Sequence, residues 1–220
     1  MAVRTTEDRL REEYFALLSD VRRVIQELEA QVRYCLLPML GGLRKHESLI
    51  VTSRVKDCES ALGALRRRQE GKAFDLDKPD AYTLTDLKDL AGVRVLAFPR
   101  DRWLEANNAL RQRFSLWTPD PVPADGGDDE PLAFKYHGFC AASATIRGEV
   151  QIAPRLVGMF WEVEHSAIYK PSPELEGVVK TAEMKKLKGE ILVALKAFDT
   201  EFERLVRSAP VSNSGIKPIE

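Results

Sequence analysis

Glu149-Val150-Gln151-Ile152 is the stretch that decides the fold, because polar and apolar side chains alternate along it as in a β-strand with one buried face. This geometry sends Glu149 and Gln151 to one face of a sheet and Val150 and Ile152 into the core. A helical pattern follows at Phe160-Trp161-Glu162-Val163-Glu164-His165. A carboxylate held rigidly on a sheet suggests a metal site, and Asp89, sixty positions upstream, is the candidate partner of Glu149.

The composition describes an ordinary globular chain with no overall charge preference. Of its 220 residues, 44% are hydrophobic and 30% are charged, and the formal net charge is -1, which gives no global attraction to DNA or to a membrane. No run approaches the roughly 18 apolar residues that span a bilayer, and the first residues are not signal-like. We therefore expect a cytoplasmic protein with no DNA and no membrane partner, in which local basic clusters hold any anionic ligand. Its three widely spaced cysteines predict no disulfide framework.

Long helices are expected at both ends of the chain. Near the start, apolar residues recur at steps of three, four and seven, which predicts a helix running towards Pro38. This helix either covers its own sheet or packs between subunits, so a homo-oligomer is possible. A second apolar stripe predicts a helix from about residue 181 to 206. The stripes are Leu10, Leu17, Val21, Val24, Leu28 and Val32, and Met184, Leu187, Ile191, Leu195, Phe198, Phe202 and Leu205.

Between these helices the pattern predicts a core that contains a β-sheet. Alternation over 49–56 predicts a strand, Asp57 is placed to cap the next helix, and 93–98 has the composition of a second strand. Residues 118–130, rich in proline, glycine and carboxylates, are expected to form an exposed mobile loop. Residues 135–145 and 148–153 are expected to form a hairpin that turns at Ile146-Arg147-Gly148. The predicted parts are an N-terminal helical arm (1–44), a core (45–175), a C-terminal helix that packs on the core (176–207) and a flexible tail (208–220).

The carboxylates Asp89 and Glu149 are candidates for a magnesium site. Mg²⁺ prefers a few carboxylate oxygens and completes its shell with water and substrate phosphate. A capping box at Thr83 and Asp86, in a short helix that Gly92 ends, places Asp89 near a helix-to-strand junction. Other roles stay open, since Asp89 also fits a surface or capping position and Glu149 also fits a salt bridge.

Basic residues after the first strand are candidates for phosphate binding. Arg54 and Lys56 share a strand face just before a helix amino terminus, where unpaired N–H groups attract anions. Arg66, Arg67 and Arg68 extend the positive region. For Arg67 and Arg68 we favour a solvated helix end.

Tyr136 and His165 each have a functional and a structural interpretation. Tyr136 shares a strand face with Gly138 and Cys140, which would let a flat ligand stack on its ring, and a core tyrosine is the alternative. His165 follows Glu162 by three positions on a helix and matches no zinc motif. A structural, hydrogen-bonding histidine is therefore favoured over a metal ligand.

Five segments together resemble the RelA/SpoT synthetase domain in their order and spacing. They cover roughly residues 45–170, with helical flanks like those of a small, single-domain alarmone synthetase, so the core over 45–175 is identified as RelA/SpoT-like. The segments are Ser53-Arg54-Val55-Lys56 with Ser60, Asp89-Leu90-Ala91-Gly92-Val93-Arg94-Val95, Lys135-Tyr136, Glu149-Val150-Gln151-Ile152, and Trp161-Glu162-Val163-Glu164-His165 with Tyr169-Lys170.

The resemblance implies an α+β, nucleotidyltransferase-like fold with a mixed β-sheet flanked by helices. It also implies Mg²⁺-dependent transfer of the β,γ-pyrophosphate of ATP to the 3' hydroxyl of GDP or GTP. On this model Asp89 binds Mg²⁺, and Glu149 binds Mg²⁺ or activates the attacking hydroxyl. The other implied roles are ATP binding by Arg54, Lys56 and Ser60, acceptor binding by Tyr136 (stacked on guanine), Lys135 and Gln151, and support by Arg94, Glu162 and His165.

Four positions and one loop depart from the family pattern. Cys140 stands in for a histidine, Ala153 and Pro154 for an arginine and a threonine, and Ala64 for a common lysine. The acidic loop before Lys135 replaces a segment that is often basic in the family. Each lost cation or donor removes a charge-assisted hydrogen bond worth about 1.5–3 kcal/mol. Two alternatives therefore stay open: the same chemistry on an adenine nucleotide or a tRNA 3' end, and a nucleotide-binding regulatory module without catalysis.

Overall fold

Five strands form one mixed β-sheet that carries helices on both faces. The computed structural model describes residues 5–68, 81–123, 131–164 and 174–208, apart from the side chain of Glu176, so the predicted tail lies almost wholly outside the described residues. The helices are α1 (Thr6–Leu40), α2 (Cys58–Arg67), α3 (Arg100–Arg113), α4 (Arg155–Glu164), α5 (Glu176–Val179) and α6 (Ala182–Ser208), with a 3-10 turn at Leu84–Asp86. The strands are β1 (Ser48–Val55), β2 (Ala91–Phe98), β3 (Thr118–Val122), β4 (Ala133–Cys140) and β5 (Ser143–Pro154).

The strands lie in the order β1-β2-β5-β4-β3. Strands β2 and β5 run parallel, with Ala91 beside Gly148, and the other neighbouring pairs are antiparallel. This arrangement confirms the predicted α+β class, with a mixed sheet flanked by helices and long helices at both ends.

The helix-covered face of the sheet lies under α1 and α3 and forms the main core. Val93 of β2 and Val150 and Ile152 of β5 point to this face, with at most 1% of their surface exposed. Helix α1 comes so close that a Cβ added to Gly148 would lie 2.2 Å from Leu28 Cδ1. Burying one such aliphatic side chain contributes about 1.5–3 kcal/mol, so this face is the main source of stability.

Helix α1 begins at a capping box and covers its own sheet. Asp8 N donates to Thr5 Oγ1 at 3.1 Å, and Thr5 N donates to Asp8 Oδ2 at 3.2 Å. The predicted apolar stripe is buried at Leu10, Val21, Val24, Leu28 and Val32. The first of the two interpretations of this helix, packing on its own sheet, is therefore what the structure shows.

Helix α6 supplies hydrogen-bond acceptors for the start of α3. Helix α3 follows Pro99, which forms no side-chain cap. The first N–H groups of α3 therefore find acceptors on α6: Arg100 N donates to Asp199 Oδ1 at 3.1 Å, and Asp101 N donates to Glu203 Oε1. Asp199 is 4% exposed, and its burial raises the pKa of its carboxyl to about 6. Two carboxylates of α6 thereby tie this helix to the backbone of α3.

The predicted loop at 118–130 is wrong at its start, because Thr118–Val122 forms the edge strand β3. Pro119 and Pro121 alternate along it. An edge strand tolerates alternating prolines, since every second N–H group faces away from the sheet and has no partner to lose. Residues 124–130 lie outside the described residues.

The predicted position of the hairpin turn is also wrong. Strand β4 ends at Cys140 and β5 begins at Ser143, so the chain turns at Ala141 and Ala142 and not at 146–148. Glu27 of α1 holds this turn by accepting hydrogen bonds from Ala141 N at 3.2 Å and Ala142 N at 2.6 Å. A carboxylate from another element thus replaces the usual turn residues.

The structure also bears on two expectations from composition. All three cysteines, Cys35, Cys58 and Cys140, are free, and burial raises the pKa of each thiol. Within the described ranges, no helix has both the length and the apolar character needed to cross a membrane.

Candidate functional site

The face of the sheet opposite α1 and α3 carries three cross-strand rows that change from charged to apolar. In a sheet, paired residues on neighbouring strands share a face, so the register defines each row. The first row is Arg54, Gly92, Glu149 and His137, the second is Thr52, Arg94, Gln151, Lys135 and Asp120, and the third is Ile50, Leu96, Ala153, Ala133 and Val122.

A cavity of about 960 Å³ opens over this face. Its described lining contains seven basic side chains and five carboxylates, a local surplus of positive charge that attracts phosphates. The basic residues are Arg54, Lys56, Arg67, Arg68, Lys88, Arg94 and Lys135, the acidic ones are Asp89, Asp120, Glu149, Glu162 and Glu164, and the others are Ser60, Ala64, Val122, His137, Gln151 and Trp161. The cavity therefore brings together every predicted site residue except Tyr136 and His165.

Asp89 lies beside Lys56 at the end of the cavity where β2 begins. Lys56 Nζ forms an ion pair with Asp89 Oδ2. Lys56 N also donates to Leu90 O at 3.0 Å, which extends the pairing of β1 and β2 by one step. Asp89 is thus held by a cation inside the cavity and caps none of the described helices.

Glu149 lies on the floor of the cavity among positively charged or protonatable groups. It is 5% exposed, and its Oε2 is 3.8 Å from Lys135 Nζ and 3.9 Å from His137 Nε2. His137 Nε2 lies 3.5 Å from Asp120 Oδ2, and in the described structure its buried Nδ1 has no hydrogen-bond partner. Lys135 offsets the cost of burying this carboxylate.

Arg94 connects the second row to helix α4. Its Nε donates to Gln151 Oε1 at 3.0 Å, and its Nη1 lies 3.6 Å from Glu162 Oε1. Burial lowers the pKa of Arg94, and the nearby charge of Arg54 lowers this pKa further. An anion bound between these two guanidinium groups would relieve their repulsion.

A basic wall of Arg54, Lys56, Arg67, Arg68 and Lys88 closes one end of the cavity. Arg67 and Arg68, for which a solvated helix end was favoured, line it. Arg68 Nη1 donates to the carbonyl oxygen of residue 86 at 3.0 Å, which ties α2 to the segment before Asp89.

One N–H group at the amino terminus of α2 is not open to a phosphate, because Ser60 N donates to the predicted cap residue Asp57 at 2.8 Å. Side chains of the basic wall add positive charge beside this helix end.

Helix α1 supports the basic wall from behind. Tyr14 Oη donates to Lys56 O at 2.9 Å. Glu13 accepts hydrogen bonds from Leu84 N at 2.9 Å and from Thr83 Oγ1, in the segment that leads to Asp89. The first turns of α1 therefore position both partners of the cavity's ion pair.

Tyr136 lies on the helix-covered face, away from the cavity. It is paired with Val150, is 2% exposed and donates from Oη to Asn107 Oδ1 at 2.8 Å. Its neighbours Lys135 and His137 face the cavity. The structure therefore supports the core interpretation of Tyr136 and contradicts a stacking role on the acceptor.

Three of the departures from the family pattern, Ala64, Cys140 and Ala153, lie in different environments. Ala64 lines the cavity. Cys140 packs against the core on the helix-covered face. Ala153 is fully buried in the third row with Leu96, against Trp161. Ala64 changes the cavity wall directly, whereas the other two lie outside it.

Several cavity residues were not assigned from the sequence: Lys88, Asp120, His137, Trp161 and Glu164. His137 pairs with Glu149 because the register of β4 and β5 shifts between Gly138 and Cys140. Without that shift, the turn that pairs Cys140 with Ser143 would put even-numbered residues of β4 on the face of Glu149. Asp120 was hidden in the predicted loop. His165, a predicted supporting residue, lies outside the described residues, as do Tyr169 and Lys170.

The donor set fits a Mg²⁺ ion that binds together with phosphate. Within 5–68, 81–123, 131–164 and 174–208, no group of three or more His, Cys, Asp or Glu residues is arranged to hold a metal by itself. Asp89 and Glu149 nevertheless line one cavity. One or two carboxylates suffice for Mg²⁺, since water and substrate phosphate complete its shell.

The fold is shared with solved structures although no family model and no curated sequence matches the chain. Small alarmone synthetase 1 from Bacillus subtilis bound to its product pppGpp is 18% identical, with a TM-score of 0.62 over 89% of this chain and 97% of that one. The same synthetase bound to AMPCPP is 18% identical, with a TM-score of 0.57 over 90% and 100%. A GTP pyrophosphokinase family protein from Streptococcus pneumoniae is 20% identical, with a TM-score of 0.56 over 88% and 92%. The described part of the chain therefore has the RelA/SpoT synthetase-like fold of the small alarmone synthetases.

Proposed function

We propose that the protein is a Mg²⁺-dependent pyrophosphokinase that transfers the β,γ-pyrophosphate of ATP to the 3' hydroxyl of GDP or GTP. The observation that carries the proposal is the presence of Asp89, Glu149, Arg54 and Lys56 in one cavity. Its volume, about 960 Å³, is at the upper end for ligand pockets, as two nucleotides require. The similar structures bound to pppGpp and to AMPCPP support the proposal.

The basic wall would hold the triphosphate of ATP. Phosphoryl transfer depends chiefly on alignment and on neutralising charge, because the phosphate oxygens carry the charge of the transition state. Arg54 and Lys56 stand on or beside a strand that is fixed by β2 and α1, so their positions are set before the nucleotide binds. Ser60 adds a hydroxyl group to the same wall.

Glu149 would orient the acceptor and accept its proton. The 3' oxygen attacks the β-phosphorus of ATP, the bond from that phosphorus to the oxygen bridging to the α-phosphate breaks, and AMP leaves. The Glu149 carboxylate takes the proton of the attacking hydroxyl. Lys135 and Gln151, beside it on the same face, would contact the acceptor.

Asp89 and Glu149 would hold the Mg²⁺ ion. When bound, this ion would neutralise phosphate oxygens and so favour displacement of AMP. Lys56, the ion-pair partner of Asp89, would remain close to the same phosphates.

A second candidate keeps this chemistry but changes the acceptor to an adenine nucleotide or a tRNA 3' end. The burial of Tyr136 favours it, because the ring that the resemblance places against guanine is absent from the described cavity lining.

The test is transfer of label from ATP to a panel of acceptors: GDP, GTP, AMP, ADP and tRNA. We expect a Mg²⁺-dependent pyrophosphorylated guanine nucleotide, and a loss of roughly a thousandfold in Glu149→Gln and in Asp89→Asn. Asp20→Asn is the matched control, because Asp20 pairs with Arg23 on α1 and does not belong to the described cavity lining.

The other outcomes either identify a different acceptor or contradict the proposed mechanism. Label in tRNA or in an adenine nucleotide supports the second candidate. Nucleotide binding without transfer to any acceptor, or transfer that survives Glu149→Gln, contradicts the proposed mechanism.

A further inference from the structure

We infer that the apolar end of the cavity, formed by Trp161 and Val122, binds the nucleobase of the acceptor nucleotide, with the indole ring of Trp161 as the stacking surface. The inference rests on the proposed function. It adds the location of the acceptor base and the residue that it contacts.

The cavity is polarised along the strands. Arg67, Arg68 and Lys88 lie at the end where β2 begins, and Val122 and Trp161 lie at the opposite end, by the third row. Glu149 lies in the first row, four residues along the strands from the third row, which corresponds to about 13 Å. The polar second row lies between the first row and the apolar third row.

This polarity decides the direction in which the acceptor points. The two nucleotides meet at the transferred phosphate, beside Glu149, and their bases must extend away from that point in different directions. On the proposed function, the triphosphate of ATP binds to the basic wall. The acceptor base is therefore directed towards the apolar end, while the second row, with Lys135 and Gln151, is left for its ribose and phosphates.

Trp161 is held in place from behind. A Cβ added to Gly158 would lie 2.3 Å from Leu96 Cδ2, so α4 packs tightly on β2 one turn before the tryptophan. The indole ring packs against two apolar clusters: one of Leu96, Ala133 and Ala153, and one of Leu132, Val157 and Leu192. A ring supported on one side and lining a cavity on the other is a preorganised surface for stacking.

No other described ring at the site is equally available. Tyr136 is buried behind the sheet. His137 lies between Asp120 and Glu149. Trp103 and Trp117 pack in the main core, so Trp161 is the tryptophan of the described cavity lining.

Tryptophan fluorescence tests the inference directly, because stacking on a nucleobase quenches indole emission. Titration with GDP should quench the wild type and Trp103→Phe but not Trp161→Phe. Inorganic pyrophosphate and ribose 5-phosphate, which lack a base, should quench none of the three. Quenching by GDP that persists in Trp161→Phe, equal quenching by the base-free probes, or no quenching of the wild type by GDP, GTP or ADP would overturn the inference.

Equilibrium binding provides a second readout that needs no turnover. Trp161→Ala should weaken GDP binding by about tenfold or more, since a base–aromatic stack contributes that much, while Trp161→Phe should stay within about threefold of wild type. AMPCPP binding should be unchanged in both variants. Unchanged GDP affinity in Trp161→Ala, or a loss for AMPCPP instead, contradicts the inference. A protein that binds GDP through Trp161 but transfers nothing would overturn only the proposed reaction.

Discussion

Tyr136 and His137 are neighbours in β4 but serve the two faces of the sheet. Tyr136 donates to Asn107 inside the main core, whereas His137 faces Glu149 and Asp120 in the cavity. The same contrast holds in β5. Gly148 has no side chain and so leaves room for Leu28 of α1 in the core, whereas Glu149 lines the cavity. Successive strand residues point to opposite faces of the sheet. Adjacent residues of one strand therefore serve either the stability of the core or the proposed chemistry of the cavity.

The largest effect should come from the adjacent positions 148 and 149. Gly148→Ala places a methyl group against Leu28 and should lower the free energy of unfolding by about 1–3 kcal/mol. Glu149→Gln should change this free energy by less than about 1 kcal/mol while abolishing transfer. Urea denaturation and the transfer assay measure the two effects.

A double variant sharpens this comparison. Leu28→Ala makes room for the new methyl group, so Gly148→Ala should cost less in that background. Equal costs in both backgrounds, or strong destabilisation by Glu149→Gln, would break the separation of the two faces.

Tyr136→Phe should be a stability variant and not an activity variant. It leaves Asn107 Oδ1 buried without its donor and should cost about 1–2 kcal/mol. Acceptor affinity should stay within about twofold of wild type. A tenfold loss of acceptor affinity at unchanged stability would indicate that Tyr136 contacts the acceptor. It would contradict the placement of Tyr136 on the helix-covered face.

The smallest effect should appear where α6 meets α3. The pKa of Asp199 is raised to about 6 from 3.8, mainly by burial and also by Glu203 and Asp101, with Arg100 opposing. The folded state therefore favours the protonated form, and stability is lost as the pH rises from about 4 through 6. Asp199→Asn, which can still accept from Arg100 N, should gain about 1 kcal/mol at pH 8, after allowance for solvent screening, and nothing near pH 4.

Thermal melts at the two pH values measure this effect, with an expected rise of about 2–4 °C at pH 8. Glu201→Gln is the control, since Glu201 pairs with Arg204 on the exposed side of α6. A gain that is equal at both pH values would contradict the raised pKa.

Local periodicity was enough to predict much of the fold. The faces of Glu149 and Gln151, the strand at 49–56 and its cap Asp57, and the stripe of α1 all depend on spacing within a few residues. Asp89, Arg54 and Lys56 were assigned to one site through the family resemblance, and in the structure all three line one cavity.

The errors arose where a distant element decides the local structure. Gly148 suggested a turn, but it is required for the approach of Leu28, and the real turn at Ala141 and Ala142 is stabilised by Glu27. Tyr136 was assigned to the acceptor through the family resemblance, and its face depends on the register shift between Gly138 and Cys140, which the local spacing does not show. No spacing rule reveals that Trp161 is supported by residues of β2, β4 and β5.

The caps that α6 gives to α3 have a consequence for synthesis. The N–H groups of Arg100 and Asp101 receive their acceptors from Asp199 and Glu203, about a hundred residues later in the chain. In a nascent chain that has completed the sheet, these two N–H groups still have only water as a hydrogen-bond partner. The start of α3 therefore gains these two acceptors only after residues 199 and 203 have been made, later than every described residue of the cavity.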